Sequence, residues 1–194
     1  MVSKTQDNAQ ALLQELEWLQ QILKARSALN ANPSAAPADL LQIPAPDLSG
    51  WDCPYVDLLT LHHLGAEDRF LLILAAVPHI RPQLLDLFMS RNQLTQQIYT
   101  EFGGRKGHHH NGFIPTGETV LFILAGNDLQ KRFKYQSLLD GQGALFQAHI
   151  LRLGEVDPEE SYLHGTLILS RDILNQITTG RVQKPSFGAE FPAQ

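Results

Sequence analysis

Residues 102–118 bring together side chains that could bind phosphate or metal. The segment reads FGGRKGHHHNGFIPTGE and sets two basic residues between glycines and a run of three histidines. Glycines beside a lysine occur where backbone amides bind phosphate, and histidine is a common metal ligand. The residues of this segment that are candidates for contact with a partner are Phe102, Gly103, Gly104, Arg105, Lys106, His108, His109, His110, Phe113, Thr116 and Glu118.

A nucleotide site is not completed by the rest of the sequence. A P-loop requires the pattern G-x-x-x-x-G-K-S/T, because backbone amides and the lysine must converge on phosphate oxygens. No Gly-Lys pair followed by Ser or Thr occurs in this chain. The apolar runs 70–77 and 167–169 also lack the acidic pair that follows a magnesium-binding strand. We therefore expect no ATP and no Mg²⁺ to bind to this chain.

Metal binding and nucleophilic catalysis are also incompletely supported. The adjacent side chains of residues 108–110 diverge, whereas closed zinc sites draw their ligands from separated positions. The single cysteine, Cys53, lies in a proline-rich stretch, and no G-x-S-x-G motif provides a serine nucleophile with its supporting groups. We predict no catalytic, cofactor-binding or metal-binding residue. We interpret residues 102–114 as a flexible loop that contacts a partner.

A helix predicted over 129–139 offers a different function, nucleic-acid binding. Its basic face comprises Lys131, Arg132, Lys134 and Tyr135. In a helix-turn-helix protein such a face enters the major groove of DNA. The acidic residues Asp157, Glu159 and Glu160 would then approach phosphate from the tip of a wing, where they are unfavourable. DNA binding is the alternative function, and the same residues also fit the solvated face of an amphipathic helix.

The composition is that of a globular protein, with 43% hydrophobic and 18% charged residues among 194. A single cysteine excludes an intramolecular disulfide and is typical of a reducing compartment. The N-terminus lacks the order of a secretory signal, and the longest apolar run, 70–77, is too short to span a bilayer. We expect a cytoplasmic protein without membrane segments. The net charge of −5 also makes general nucleic-acid binding unexpected.

The first segment, 1–30, is predicted to form one amphipathic helix over 6–29. The leucines that recur at helical spacing are Leu12, Leu16, Leu19 and Leu23. Their face could pack on the chain's own domain or pair with a second subunit, and the sequence leaves both possibilities open. Residues 31–54 contain five prolines among alanines and serines and are interpreted as a linker without regular structure.

Residues 55–185 are predicted to form a winged-helix-like domain. Apolar periodicity predicts helices over 55–64, 67–77, 83–91, 117–125, 129–139 and 171–178, and strands over 148–153 and 163–169. The expected N-caps are Thr116, Asp128 and Ser170. The tight turn Gly126-Asn127-Asp128, followed by two strands with a polar tip, indicates a helix-turn-helix and a wing. The predicted fold class is mainly α with a small antiparallel β-hairpin, preceded by the N-terminal helix.

Several motifs occur in the order that they have in one protein family. They are PYVDLLTLHHLGAEDRFLLILAAVPHIRPQLLD, TEFGG, GFIPTGET, LFILAGNDLQKRF, TLILS, TTG and FPAQ. Over residues 54–194 the chain closely resembles the N-terminal region of a bacterial AAA-type ATPase family. That family is common in Bacteroidetes and is often associated with phage-tail-like extracellular contractile injection systems. Residues 1–53 resemble it only as a helix followed by a variable linker.

The resemblance implies a winged-helix-like domain that precedes an ATPase module. Residues 186–194 would lead into that module, ATP and Mg²⁺ would bind there, and the parent protein would form a hexameric ring. This chain itself has no Walker motif. We therefore expect a non-catalytic recognition or regulatory domain that binds a protein client or assembly partner through residues 102–118. Contact with its own ATPase module and self-association through the N-terminal helix are further expectations.

Overall fold

The computed structural model describes residues 2–31, 39–107 and 109–180. The α-helices in these ranges are α1 Val2–Ala31, α2 Pro54–Leu61, α3 Ala66–Ile80, α4 Gly117–Ala125, α5 Leu129–Gln136, α6 Ala144–Gln147 and α7 Arg171–Thr179. The strands are β1 Arg105–Lys106, β2 Phe113–Ile114, β3 Leu151–Leu153 and β4 Leu167–Leu169. Short 3₁₀ helices span Leu40–Gln42, Pro82–Met89, Thr100–Phe102, Ser137–Leu139 and Tyr162–His164. The chain is mainly helical, as the sequence predicted, and it has two small antiparallel strand pairs where one hairpin was expected.

The centre of the core is formed by α3 and α4. All residues of 70–77 in α3 and of 119–125 in α4 are buried, which explains why neither helix has a polar face. Among the described residues no single helix has the length and apolar composition to cross a membrane, although α3 and the 3₁₀ helix after it, bent by 97°, meet that criterion as a pair. Parts of the predictions lie outside the described residues: residues 32–38 of the linker, His108 of the loop, and residues 181–194, which comprise the end of the predicted 55–185 domain and the segment after it.

Helix α1 is confirmed and is longer than predicted, and its apolar face packs into the chain's own core. The buried residues of this face are Ala11, Leu12, Leu16, Trp18, Leu19, Ile22 and Leu23. Asn8 accepts a hydrogen bond from the Tyr55 amide at 2.9 Å and donates one to the Ile177 carbonyl. Arg26 Nε donates to the Ile123 carbonyl at 2.7 Å, near the C-terminus of α4. Asn8 and Arg26 thus link α1 to α2, α4 and α7 by hydrogen bonds, whereas Oε2 of the buried Glu15 has no hydrogen-bond partner among the described residues.

A buried ion pair joins α1 to α3. Glu15 on α1 is completely buried, and its Oε1 lies 2.8 Å from Nε and 2.7 Å from a terminal nitrogen of Arg69 on α3. Burial raises the pKa of the Glu15 carboxyl, and the Arg69 charge opposes that shift. The Arg69 guanidinium also donates to the Pro46 carbonyl at 2.8 Å and lies over the Trp18 ring. The Arg69 guanidinium therefore joins α3 to α1 and to the segment between α1 and α2.

The prediction that residues 31–54 lack regular structure is wrong for part of this segment. Asp39 accepts a hydrogen bond from the Leu41 amide and begins the 3₁₀ helix 40–42. Leu40 and Leu48 are buried, and Trp18 Nε1 donates to the Ile43 carbonyl at 2.9 Å. Prolines prevent a long helix here, but they do not prevent the apolar side chains between them from packing on the core.

The region after α3 also differs from the prediction. The helix continues through Pro78 to Ile80, and the predicted α-helix over 83–91 is a 3₁₀ helix, Pro82–Met89. It does not extend towards Tyr99, because the Asn92 side chain accepts hydrogen bonds from the amides of residues 94 and 95. Asparagine side chains that bond nearby amides favour turns over helices. The chain folds back there, and residues 91 and 98 form a β-bridge.

The strands are shorter than predicted, but their pairing is antiparallel as expected. In the second pair Leu151 lies opposite Leu169 and Leu153 opposite Leu167. The two strand pairs are joined, since Thr116 bridges Thr166 and the Leu167 amide donates to the Pro115 carbonyl at 2.9 Å. The residues that precede α4 therefore lie beside β4, and this places the glycine-rich segment next to the connection between β3 and β4.

The buried pair predicts how stability responds to substitution. We expect Arg69→Met to lower the free energy of unfolding by about 3–5 kcal/mol, because it leaves the Glu15 carboxylate buried without its partner. The double variant Glu15→Leu/Arg69→Met should recover most of that loss, since apolar residues need no compensation for desolvation. Urea unfolding of the three proteins measures both values. A loss below about 1 kcal/mol in Arg69→Met would contradict this account.

Candidate functional site: the glycine-rich hairpin and its cleft

The segment predicted as a flexible loop is a β-hairpin with a fixed base. Arg105 lies opposite Ile114 and Lys106 opposite Phe113, and the Gly107 amide donates to the Gly112 carbonyl at 3.1 Å. The predicted loop over 102–114 therefore contains regular structure, namely the strands 105–106 and 113–114. The two strands have only two residues each, which is too short for the alternation of polar and apolar residues by which a strand is recognised.

Two glycines allow the hairpin to lie close to the core. Gly103 and Gly104 have positive φ angles of 58° and 74°, which other residues adopt with strain. A Cβ atom on Gly104 would lie 2.1 Å from the Phe113 ring, and one on Gly103 would lie 2.7 Å from the Cβ of Glu118. Glycine at both positions is therefore required by packing as well as by backbone conformation.

Thr116 links the base of the hairpin to α4. Its hydroxyl accepts hydrogen bonds from the Gly104 amide at 3.0 Å and from the Thr119 amide at 3.4 Å. The Thr119 hydroxyl accepts one from the Thr116 amide at 3.0 Å, so the predicted N-cap is confirmed. Ser170 occupies the N-cap position of α7, but its side chain makes no capping hydrogen bond. The expected cap at Ser170 is therefore wrong in its chemistry.

The predicted loop residues divide into a buried base and an exposed tip. Phe102, Phe113 and Thr116 are buried in the core, where both phenylalanines contact the Phe88 ring. Three of the residues proposed for partner contact are therefore buried. Among the described residues of the tip, those with exposed side chains are Arg105, Lys106, His109, His110 and Asn111. A partner can reach the tip without disturbing the base.

His110 has a local structural role in the hairpin. His110 Nδ1 accepts a hydrogen bond from the Gly112 amide at 3.0 Å, and the same ring lies against Gly107. No cluster of three or more His, Cys, Asp or Glu side chains with metal-binding geometry occurs in the described parts of the chain, and His108 lies outside them. The His110 ring helps to shape the turn of the hairpin.

A cleft of about 470 Å³ lies between the hairpin and the connection from β3 to β4. Arg105 and Lys106 line one side, and Asp157, Glu160 and His164 line the other. Its remaining lining residues are Met89, Ile98, Tyr99, Thr100, Gly103, Gly104, Phe113 and Thr116. The cleft therefore has a cationic side, an acidic side and an apolar component. The sequence identified residues 102–113 as a candidate surface, but it predicted neither the hairpin nor the acidic connection that faces it.

A weak ion pair spans this cleft. Arg105 lies 3.3 Å from Glu160 Oε2, and both side chains are 46% exposed. His164 Nδ1 lies 3.7 Å from the same oxygen. An ion pair with this exposure contributes about 0–1 kcal/mol, so it can exchange for a contact with a partner.

The basic residues of α5 are all engaged within the chain. Arg132 makes two short contacts with the Glu118 carboxylate, at 2.7 and 2.8 Å. Lys134 lies 3.3 Å from Asp39, and the buried Tyr135 donates its hydroxyl hydrogen to the same carboxylate at 2.6 Å. The remaining basic residue, Lys131, lies 3.6 Å from Asp128. The face predicted as an alternative nucleic-acid surface is thus largely a set of intramolecular ion pairs.

The outer face of α5 carries an apolar pair instead. Leu129 and Phe133, one helical turn apart, are 64% and 68% exposed. Tyr162, which is 45% exposed, comes close to the end of this helix and accepts a hydrogen bond from Gln136 at 2.7 Å. Apolar residues four positions apart on a helix normally predict a buried face, so the sequence would place Leu129 and Phe133 in the core, whereas both are exposed.

Comparison with protein-family models, curated proteins and solved structures finds no match to this chain. The functional assignment therefore depends on the geometry described above and on the motifs quoted from the sequence. Two features are candidates for partner contact: the exposed tip of the hairpin with its cleft, and the apolar face of α5.

The cap at Thr116 predicts a specific loss of stability. We expect Thr116→Val to lower the free energy of unfolding by about 1–2 kcal/mol, because it removes the acceptor for two amides while keeping the side-chain shape. Ser170→Ala is the matched control, since Ser170 occupies an N-cap without a capping bond, and should change stability by less than about 0.5 kcal/mol. Thermal unfolding compares them. Equal losses in both variants would contradict the assignment.

The contacts of Asp39 predict a pH dependence. Burial alone would raise the pKa of this carboxyl, but hydrogen bonds from Tyr135, Leu41 and Lys134 outweigh it and lower the pKa. The stability that Asp39 contributes is then fully present above its unfolded pKa of about 3.9 and is lost as the pH falls through the lower folded pKa. Tyr135→Phe should raise the pKa of Asp39, measured by carboxyl NMR titration. An unchanged titration midpoint would contradict the role of this hydroxyl.

Proposed function

We propose that this chain is a non-catalytic recognition domain of an AAA-type ATPase, and that it binds a protein client or assembly partner. The observation that carries the proposal is the division of the hairpin into a base fixed in the core and an exposed tip beside a cleft. A rigid base positions the tip without further ordering, which lowers the entropic cost of binding. The ATPase context is supported by the sequence motifs alone, and ATP and Mg²⁺ belong to the module that would follow residues 186–194.

The arrangement of elements supports a winged-helix-like reading of the domain. In this reading α4 and α5 form the helix-turn-helix, joined by Gly126-Asn127-Asp128. The strands β3 and β4 form the wing, with residues 154–166 as its tip. The pairing of residues 115–116 with β4 supports the reading, because it ties the entry of α4 to the wing.

The apolar face of α5 supports a protein as the class of partner. Single exposed apolar residues are common on soluble proteins, but Leu129 and Phe133 are one turn apart on one helix, and the half-exposed Tyr162 contacts Gln136 at the end of that helix. Aromatic residues are enriched at the energetic centres of protein interfaces. This face therefore supports a protein as the partner, although the main support for partner binding comes from the hairpin.

Nucleic-acid binding has less support from the same geometry. A phosphate that contacts Arg132 or Lys134 would have to displace Glu118 or Asp39, and Tyr135 is buried. The wing tip carries acidic residues that repel phosphate. Self-association through α1 has less support too, because its apolar face is already covered by the chain's own core.

Replacement of the hairpin tip tests the proposal. Residues 105–112 are exchanged for a short Gly-Ser turn, while the buried residues on both sides are kept. Partners are defined as proteins that the original chain retains from a cell lysate and an unrelated bait does not, identified by mass spectrometry. We expect the tip variant to retain at least ten-fold less of each of these proteins, because it lacks the tip and the cationic side of the cleft.

The control is the variant Leu129→Ser/Phe133→Ser, which alters the other exposed face. Circular dichroism and thermal unfolding confirm that both variants are folded. If a folded tip variant captures the same proteins at the original level, the hairpin is not the contact surface. Loss of capture in the α5 variant alone would move the surface to α5.

A further inference from the structure

The hairpin is a local cationic site on a protein with a net charge of −5. Arg105 and Lys106 are adjacent on β1, and both side chains are exposed. Within the described part of the chain no ion pair is found for Lys106, whereas the basic residues of α5 each lie near a carboxylate. An acidic group on a partner would meet two adjacent exposed cations at this site, of which Arg105 is held in a solvent-exposed ion pair.

The geometry around Glu160 allows a carboxylate to be exchanged. Glu160 Oε2 lies between the guanidinium of Arg105, at 3.3 Å, and the ring of His164, at 3.7 Å. A partner carboxylate that takes Arg105 leaves Glu160 beside His164, so the displaced charge keeps a neighbour able to donate a hydrogen bond. Glu160 thus occupies the place of an acidic ligand in the unbound protein.

Apolar surface lies beside these cations. Met89 and Ile98 are half-buried and line the cleft opposite Phe113, whose ring packs under the hairpin. The volume of about 470 Å³ is in the range of sites that bind small ligands and short peptide segments. A ligand that fits carries an acidic group and an apolar group close together.

We infer that the cleft binds a peptide segment of a protein partner in which an aspartate or glutamate stands next to an apolar side chain. The acidic group binds Arg105 and Lys106 in place of Glu160, and the apolar side chain packs against Met89 and Ile98. This inference rests on the proposed function and specifies the chemistry of its partner. It follows from charge complementarity and from the exchangeable ion pair.

The experiment is a selection of random heptapeptides displayed on phage against the full chain. Enriched sequences are synthesised with a fluorescent label, and their affinities are measured by fluorescence anisotropy. We expect enrichment of Asp or Glu beside an apolar residue. Arg105→Glu and Lys106→Glu should each weaken binding at least ten-fold, while Lys24→Glu, which changes the same charge on the exposed side of α1, should leave it within two-fold.

Glu160→Gln provides the sharper test, because it removes the competing carboxylate. We expect this variant to bind the acidic peptides about three-fold or more tightly than the original chain, corresponding to a free-energy gain of about 0.7 kcal/mol or more. Glu159→Gln makes the same change in net charge at the neighbouring exposed position, where no ion pair is found among the described residues. Its effect should be smaller. Equal effects in the two variants would overturn the exchange of carboxylates.

Three other outcomes would overturn the inference. They are no enrichment, enrichment of basic peptides, and binding that the Arg105 and Lys106 variants do not change. A labelled single-stranded oligonucleotide that binds with the same dependence on both residues, and displaces the peptides, would assign the site to nucleic acid. If the hairpin tip still governs partner capture while no acidic peptide binds, this inference fails and the proposed function stands. If the tip does not govern capture, the proposed function is wrong, and this inference loses its basis.

Discussion

The buried contact between Arg69 and Glu15 is the constraint on which the placement of the first half of the chain depends. Two charges removed from water are stable only when each meets the other, so α1 cannot slide or rotate on α3 without exposing one of them to an apolar environment. The same guanidinium donates a hydrogen bond to the Pro46 carbonyl, and this contact fixes the position of the proline-rich segment relative to α3. Apolar packing alone would tolerate several registers of a leucine-rich helix, and this contact allows one.

The position of the hairpin follows from the way α4 is held at both ends. At its C-terminus, Arg26 of α1 donates to the Ile123 carbonyl, a favourable place for a cation because helix carbonyls there carry partial negative charge. Gly126 has a φ angle of 58°, and a Cβ atom there would lie 2.7 Å from the guanidinium. At its N-terminus, the Thr116 hydroxyl accepts a hydrogen bond from the Gly104 amide. Because α4 contacts α1 at one end and the hairpin at the other, the position of the hairpin base depends on the position of α1.

The sequence was informative where structure depends on near neighbours and misleading where it depends on distant ones. The helices around 70–77 and 117–125 and the cap at Thr116 follow from spacing and local hydrogen bonds. The order in 39–53 could not be predicted, because it depends on contacts with residues such as Arg69 and Tyr135 that are distant in sequence. The hairpin was missed for the same reason, since its base is fixed by Phe113 packing and by Thr116, and its strands are too short to show a pattern.

The same distinction explains why the number of basic residues in a segment did not identify its surface. On α5, Arg132 and Glu118 are only 23% and 15% exposed, so their pair is partly shielded from water and is part of the fold. On the hairpin, Arg105 meets Glu160 in open solvent, where the attraction is screened and readily exchanged. A partner that binds Arg105 displaces the solvent-exposed Glu160, whereas one that binds Arg132 must displace Glu118, which is mostly shielded from water. Exposure separates Arg105 from Arg132, but it does not separate Arg105 from Lys134, whose side chain is 56% exposed in its pair with Asp39. What distinguishes the hairpin is that two exposed cations, Arg105 and Lys106, are adjacent on one strand beside a cleft.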